Sequence, residues 1–110
     1  MKIEMLSPRF SATGQITAAS LEIVQAQGFR SVINNRPDDE SADQPASAEL
    51  AAAAAELGLA YLHIPVVSGA LTLQNVEDLK AAYPTLETPI LLFCLSGARS
   101  TVLWNLAGRP

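Results

Sequence analysis

Ile90-Leu91-Leu92-Phe93-Cys94-Leu95-Ser96-Gly97-Ala98-Arg99-Ser100 decides how the chain is read. Four consecutive apolar residues predict a buried strand, the six from Cys94 a tight loop, and Ser100 onward a helix. That order places a thiol beneath a helix N-terminus, where unpaired backbone N–H groups and the helix dipole favour negative charge. Such a loop binds an oxyanion and holds a thiolate. Phosphoryl transfer through a cysteinyl phosphate and sulfur transfer through a persulfide both require those two properties. In either chemistry Cys94 is the expected nucleophile. The backbone of Leu95, Ser96, Gly97 and Ala98 is the expected phosphate nest, with Gly97 allowing the turn that points N–H groups inward. Arg99 offers a planar fork to two oxygens, and Ser100 either caps the helix or steadies the thiolate as a leaving group. Against this stands the plain alternative of a small buried core cysteine.

The remaining composition narrows the choice. The 110 residues are 49% apolar and 16% charged, as expected of one globular domain covering residues 1–110. A net charge of −4 argues against a general nucleic-acid or anionic-membrane binder, so an anion site has to be local. One cysteine and one histidine leave no internal disulfide and no multi-cysteine metal site, and no metal or cofactor is expected. No segment approaches the roughly 20 apolar residues of a membrane span, which favours a cytoplasmic location.

On either side of the loop, strands and helices alternate. Residues 3 to 12 suit a short leading strand or extended arm around Pro8. A helix is predicted from Thr17 to Gly28, with Leu21 and Val24 on its inner face, and a strand from Phe29 to Asn35. Arg36-Pro37-Asp38-Asp39-Glu40 stops that strand. Ser47 to Leu57 reads as a helix closed by Gly58, and Tyr61 to Ile64 as a strand halted by Pro65. Thr72 caps a third helix whose Leu73, Val76, Leu79 and Tyr83 are expected inside, and a last helix runs from Ser100 to Ala107. Phe93 and Trp104 are assigned to the core. This alternation predicts an α/β domain with a mostly parallel central sheet and helices on both faces. Ligands in such sheets sit at the carboxyl ends of the strands, where the Cys94 loop, the Arg36 turn and the Val66–Leu71 loop all fall.

Several segments together resemble a known family. They are Gln15-Ile16-Thr17, Gly28-Phe29, Val32-Ile33-Asn34-Asn35-Arg36-Pro37-Asp38, Gly58-Leu59-Ala60-Tyr61, His63-Ile64-Pro65 and Cys94 to Ser100. The series resembles the phosphatase-like domain of the bacterial beta-lactamase-hydrolase-like proteins and covers nearly the whole chain. The resemblance implies a three-layer fold similar to dual-specificity and tyrosine phosphatases, with Cys94 as nucleophile and Arg99 as phosphate binder. It also implies a phosphorylated small molecule or phosphoprotein as partner. Two departures stand out: tyrosine phosphatases place five residues between Cys and Arg where this chain has four, and His before the Cys where this chain has Phe93. Four-residue spacing with Gly third after Cys also resembles the single-domain rhodanese loop. A sulfurtransferase working through a Cys94 persulfide is therefore a second expectation, and a non-catalytic oxyanion-binding module a third.

The proton donor is the open position. Dual-specificity phosphatases take it from the loop corresponding to Pro65–Leu71, which has no carboxyl group here. Asp38, with Asp39 in reserve, is the expected general acid because it follows a strand end at the same sheet edge. Ser68 is expected to face the substrate, and Arg36 either reaches the substrate or pairs with the acidic run that follows it. His63 is expected to be a hydrogen-bonded structural histidine.

Overall fold

The computed structural model describes all 110 residues. Five strands form one sheet in the order β1-β2-β5-β3-β4: β1 Glu4–Met5, β2 Phe10–Thr13, β3 Ser31–Asn34, β4 Ala60–His63 and β5 Ile90–Phe93. Only β1 runs antiparallel to its neighbour; the β2–β5, β5–β3 and β3–β4 pairs are all parallel. The helices are α1 Ser20–Ala26, α2 Ser47–Glu56, α3 Leu73–Ala82 and α4 Ala98–Leu106.

The strand pleat explains the layering. Along β5, Ile90 and Leu92 join Val76, Leu79, Leu103 and Ala107 in a core under α3 and α4. Leu91 and Phe93 point the other way, into a core with Leu21, Val24, Leu50 and Ala54 from α1 and α2. A strand covered on both faces has to be apolar throughout, and all four β5 residues are buried. The expected mostly parallel sheet with helices on both faces is therefore the observed architecture.

Three local expectations change. The N-terminal arm is a hairpin: β1 folds back on β2 around Ser7, whose hydroxyl accepts the Arg9 and Phe10 N–H groups, and β2 then enters the sheet beside β5. Leu73 lies outside the core, 75% exposed. Thr72 and Asn75 form a reciprocal capping box at the start of α3, which puts Leu73 at the first helical position and turns it to solvent. The last helix starts at Ala98, two residues before Ser100, because Gly97 at φ 95° makes the whole turn itself. Phe93 is fully buried, whereas Trp104 is only partly so and packs against the α3–α4 core.

Strand β5 lies between β2 and β3, with α1 and α2 packed on one face of the sheet and α3 and α4 on the other. The loops after these three strands open at one sheet edge, and the loop after β4 joins them. This is the place where parallel sheets of this kind bind ligands.

Candidate active site

The Cys94 loop is fixed by close backbone contacts with the end of β2. Cys94 N–H donates to the Thr13 carbonyl, and Gln15 N–H to the Leu95 carbonyl at 3.1 Å. Two glycines permit this approach. A Cβ on Gly14 would lie 2.9 Å from the Leu95 carbonyl oxygen, and one on Gly97 would lie 3.3 Å from the Thr13 oxygen at a left-handed φ. The loop thus curls over the thiol. Gly97 N–H donates to Cys94 Sγ at 3.1 Å, and the N–H groups of Ser96 and Ser100 also point at the sulfur. Burial pushes the Cys94 thiol up, but these donors, together with the Ser100 hydroxyl, outweigh it and bring the thiol below its ordinary value. Cys94 itself is 1% exposed, at the floor of the cradle.

Arg99 stands at the cradle's edge and is held from behind. Its Nη1 donates to Glu40 Oε2 at 2.6 Å and to the Val66 carbonyl at 2.8 Å, and its Nη2 donates to Glu40 Oε1 at 2.9 Å. The other edge of the guanidinium is free of carboxylate and faces the sulfur. Glu40 is shared: Arg36 Nε donates to its Oε1 at 2.9 Å, while Arg36 Nη1 reaches Gln15 Oε1 at 3.1 Å. Arg99 first, with Arg36 behind it, holds the Glu40 carboxyl down to about 2 against the opposing effect of desolvation. A depressed carboxyl pKa stabilises the fold above its ordinary value of 4.5, and that contribution is lost only as pH falls towards 2. The clamp is consequently intact at any working pH.

The candidate residues divide accordingly. Cys94, Leu95, Ser96, Gly97, Ala98, Arg99 and Ser100 come together in the cradle. Arg36 is buried and faces Glu40 and Gln15, one step behind Arg99. Ser68 lies in an exposed turn closed by the Ala70 N–H to Val67 carbonyl bond, with its hydroxyl unpaired. Asp38 does not join the cradle. Its Oδ1 accepts the Ser47 N–H at 2.8 Å, the first donor of α2, so the carboxylate serves as that helix's cap. Asp39 is exposed, at a left-handed φ of 64°. His63 Nε2 lies 2.8 Å from the Arg36 carbonyl and donates to it, a structural bond. Two residues come into view only with the fold: Glu40, and Asn35, which is fully buried next to Ser100. We expect Asp38→Ala to cost about 1 kcal/mol of stability through the lost cap, with turnover of an aryl phosphate nearly unchanged. Denaturant unfolding alongside the activity assay separates the two effects.

Beside Arg99 a cleft of about 430 Å³ opens between the β4 loop and α4, lined by Val66, Val67, Leu71 and Val102. An apolar wall beside an anion cradle suits a ligand with an anionic head and an apolar body.

The parallel sheet, its two helical layers and a cysteine loop ending at a helix-borne arginine define a phosphatase-like α/β domain. The chain belongs to the family described as beta-lactamase hydrolase-like protein, phosphatase-like domain, whose model matches residues 2–109. A beta-lactamase hydrolase-like protein of Xylella fastidiosa is 35% identical over 107 residues, or 97% of this chain and 25% of that protein. The chain thus spans about a quarter of the length of the curated relatives it matches. The crystal structure of a candidate phosphatase from Neisseria meningitidis superposes with a TM-score of 0.86 at 30% identity, over 94% of this chain and 74% of that one. TpbA of P. aeruginosa, solved in complex with phosphotyrosine, shares the fold with a TM-score of 0.65 at 17% identity, over 97% of this chain and 64% of its own.

Proposed function

We propose that the domain is a cysteine-dependent phosphatase for phosphate monoesters with good leaving groups. The observation that carries this reading is the convergence of the Ser96, Gly97 and Ser100 N–H groups on Cys94 Sγ, with Arg99 clamped beside it. In the first step the thiolate attacks phosphorus: an S–P bond forms, the P–O ester bond breaks, and the alcohol oxygen leaves with the electron pair. Loop N–H groups and the Arg99 guanidinium take the charge on the three equatorial oxygens, where preorganised donors act most strongly. Water then attacks phosphorus, the S–P bond breaks, and inorganic phosphate leaves with the thiolate restored. Phosphotyrosine, the ligand seen in the fold relative TpbA, has the aryl body that the Val67–Leu71–Val102 wall would accept.

A proton donor for the leaving group is the missing part. Asp38 caps α2, Glu40 is held ionised, and the Pro65–Leu71 loop has no titratable side chain. A positioned acid contributes roughly 10²- to 10⁴-fold for poor leaving groups. Aryl phosphates, which leave as stable phenolates, are therefore expected to turn over at least about 10²-fold faster than alkyl phosphates of similar size. Comparing kcat/KM for the two classes tests this. Equal rates would mean that an acid is present and would overturn the leaving-group restriction.

The same observation favours a second reading, sulfane-sulfur transfer. A thiolate that takes the outer sulfur of thiosulfate breaks an S–S bond, releases sulfite and becomes a persulfide. Cyanide then removes that sulfur as thiocyanate and restores the thiolate. No acid is needed, and the four-residue spacing between Cys94 and Arg99 is that of the rhodanese loop. Thiocyanate production exceeding aryl-phosphate turnover would make this the principal activity.

A further inference from the structure

Behind Cys94 lies a pair of fully buried polar side chains that the chemistry above leaves unused in part: Asn35 and Ser100 are both 0% exposed. Asn35 cannot rotate. Its backbone N–H donates to the Phe93 carbonyl at 2.7 Å and its Nδ2 to the Ile64 carbonyl at 3.0 Å. Turning the amide over would set oxygen against oxygen. Its Oδ1 is therefore fixed towards Ser100, whose Oγ donates to it at 2.8 Å, the one donor that this oxygen has. The same hydroxyl is among the donors that bring the Cys94 thiol down, although in this structure its hydrogen bond goes to Asn35. A hydroxyl has one proton to give, and two acceptors compete for it.

We propose that Asn35 is a positioning residue that holds the Ser100 hydroxyl proton away from Cys94 until the thiolate forms, making Ser100 a two-position donor. While Cys94 is a thiol, its S–H donates to Ser100 Oγ and Ser100 donates to Asn35. When the thiol ionises, the Ser100 O–H rotates to the sulfur, and Asn35 Oδ1 is left without a donor in a dry site. Each ionisation thus gains one hydrogen bond and orphans one buried acceptor, a cost that offsets part of the gain. Once the sulfur carries a phosphoryl group or a second sulfur it is no longer the stronger acceptor, and the hydroxyl returns to Asn35. The step is a rotation about Cβ–Oγ, and no covalent bond changes. Asn35 accordingly sets how readily Cys94 ionises, and Ser100 assists the thiolate both on formation and on departure.

The charged and titratable groups around the sulfur stay constant in this comparison. They are Arg99 on α4, Glu40 and Arg36 behind it on the β3 loop, and His63 on β4, tied to the Arg36 carbonyl. The segment from β2 to Thr17 and the Pro65–Leu71 loop contribute none. The relay bears on catalysis through Cys94 as nucleophile, as proposed above, but its test reads ionisation and not turnover.

Cys94 is the sole cysteine, so its alkylation by iodoacetamide against pH reports one midpoint. Asn35→Ala should lower that midpoint by about one pH unit. Ser100→Ala should raise it, and adding Asn35→Ala to Ser100→Ala should move it little, because the competition no longer exists. A midpoint that is unchanged or raised by Asn35→Ala, or lowered equally in both backgrounds, would overturn the proposal. Should the Asn35 variants fail to fold, the unaltered protein decides. The Asn35 side-chain carbonyl ¹³C shift should titrate with the Cys94 midpoint, and a shift that stays flat through it rules the relay out. Loss of the relay with turnover still dependent on Cys94 would leave the proposed phosphatase reading standing.

Discussion

Cys94→Ser is expected to abolish aryl-phosphate turnover, by about 10⁴-fold or more, while leaving phosphate binding in place. The alcohol is a far weaker nucleophile near neutral pH, and removal of the nucleophile from a catalytic group costs on this scale. Serine keeps a hydrogen-bond acceptor under the Gly97 N–H, so the loop retains its shape. The variant should still be stabilised thermally by inorganic phosphate. Mass spectrometry of the unaltered protein, quenched in acid during turnover, should show a phosphate adduct on the Cys94 peptide that the variant lacks. Retained turnover in Cys94→Ser would end both the phosphoryl-transfer and the persulfide readings.

The second large effect is expected at Arg99. Arg99→Lys should lower kcat by about 10²- to 10³-fold, the usual loss for one preorganised donor to developing charge. An ammonium cannot span both Glu40 oxygens and the Val66 carbonyl while presenting a second edge to phosphate, as the guanidinium does. The conservative charge should therefore rescue little over Arg99→Ala. If Lys restored most of the rate, Arg99 would be acting as a point charge and the clamp geometry would be irrelevant.

The sheet was legible because β5 is apolar at every position, which only a strand buried on both faces needs, and because Gly28 and Gly58 mark helix ends at positive φ. The cradle was legible for a similar reason: Cys, Gly and Arg at fixed spacing leave few geometries. The support for the cradle was not. Glu40 reads as the tail of a solvated acidic run, and nothing in one dimension shows that the turn after Arg36 carries it back to Arg99, 59 residues away. Asp38 has the better local argument, a carboxylate beside a rigid proline, yet the N-terminus of α2 claims it. Asn35 reads as a strand end, and its pairing with Ser100 spans 65 residues. Leu73 departs from expectation for the opposite reason: its periodicity is right, but the first turn of the helix projects beyond the core it serves.

The chain of bonds from Gln15 through Arg36 and Glu40 to Arg99 and the Val66 carbonyl joins the ends of β2, β3 and β4 to the head of α4. Ordering a flexible anion site on binding would cost conformational entropy for every side chain immobilised; here those side chains are already immobilised when the chain folds. If the cradle binds phosphate as proposed, its affinity depends in part on segments that never touch the anion. A lengthened turn between Arg36 and Glu40 would weaken phosphate as surely as the loss of a ligand, through disorder restored to the empty cradle.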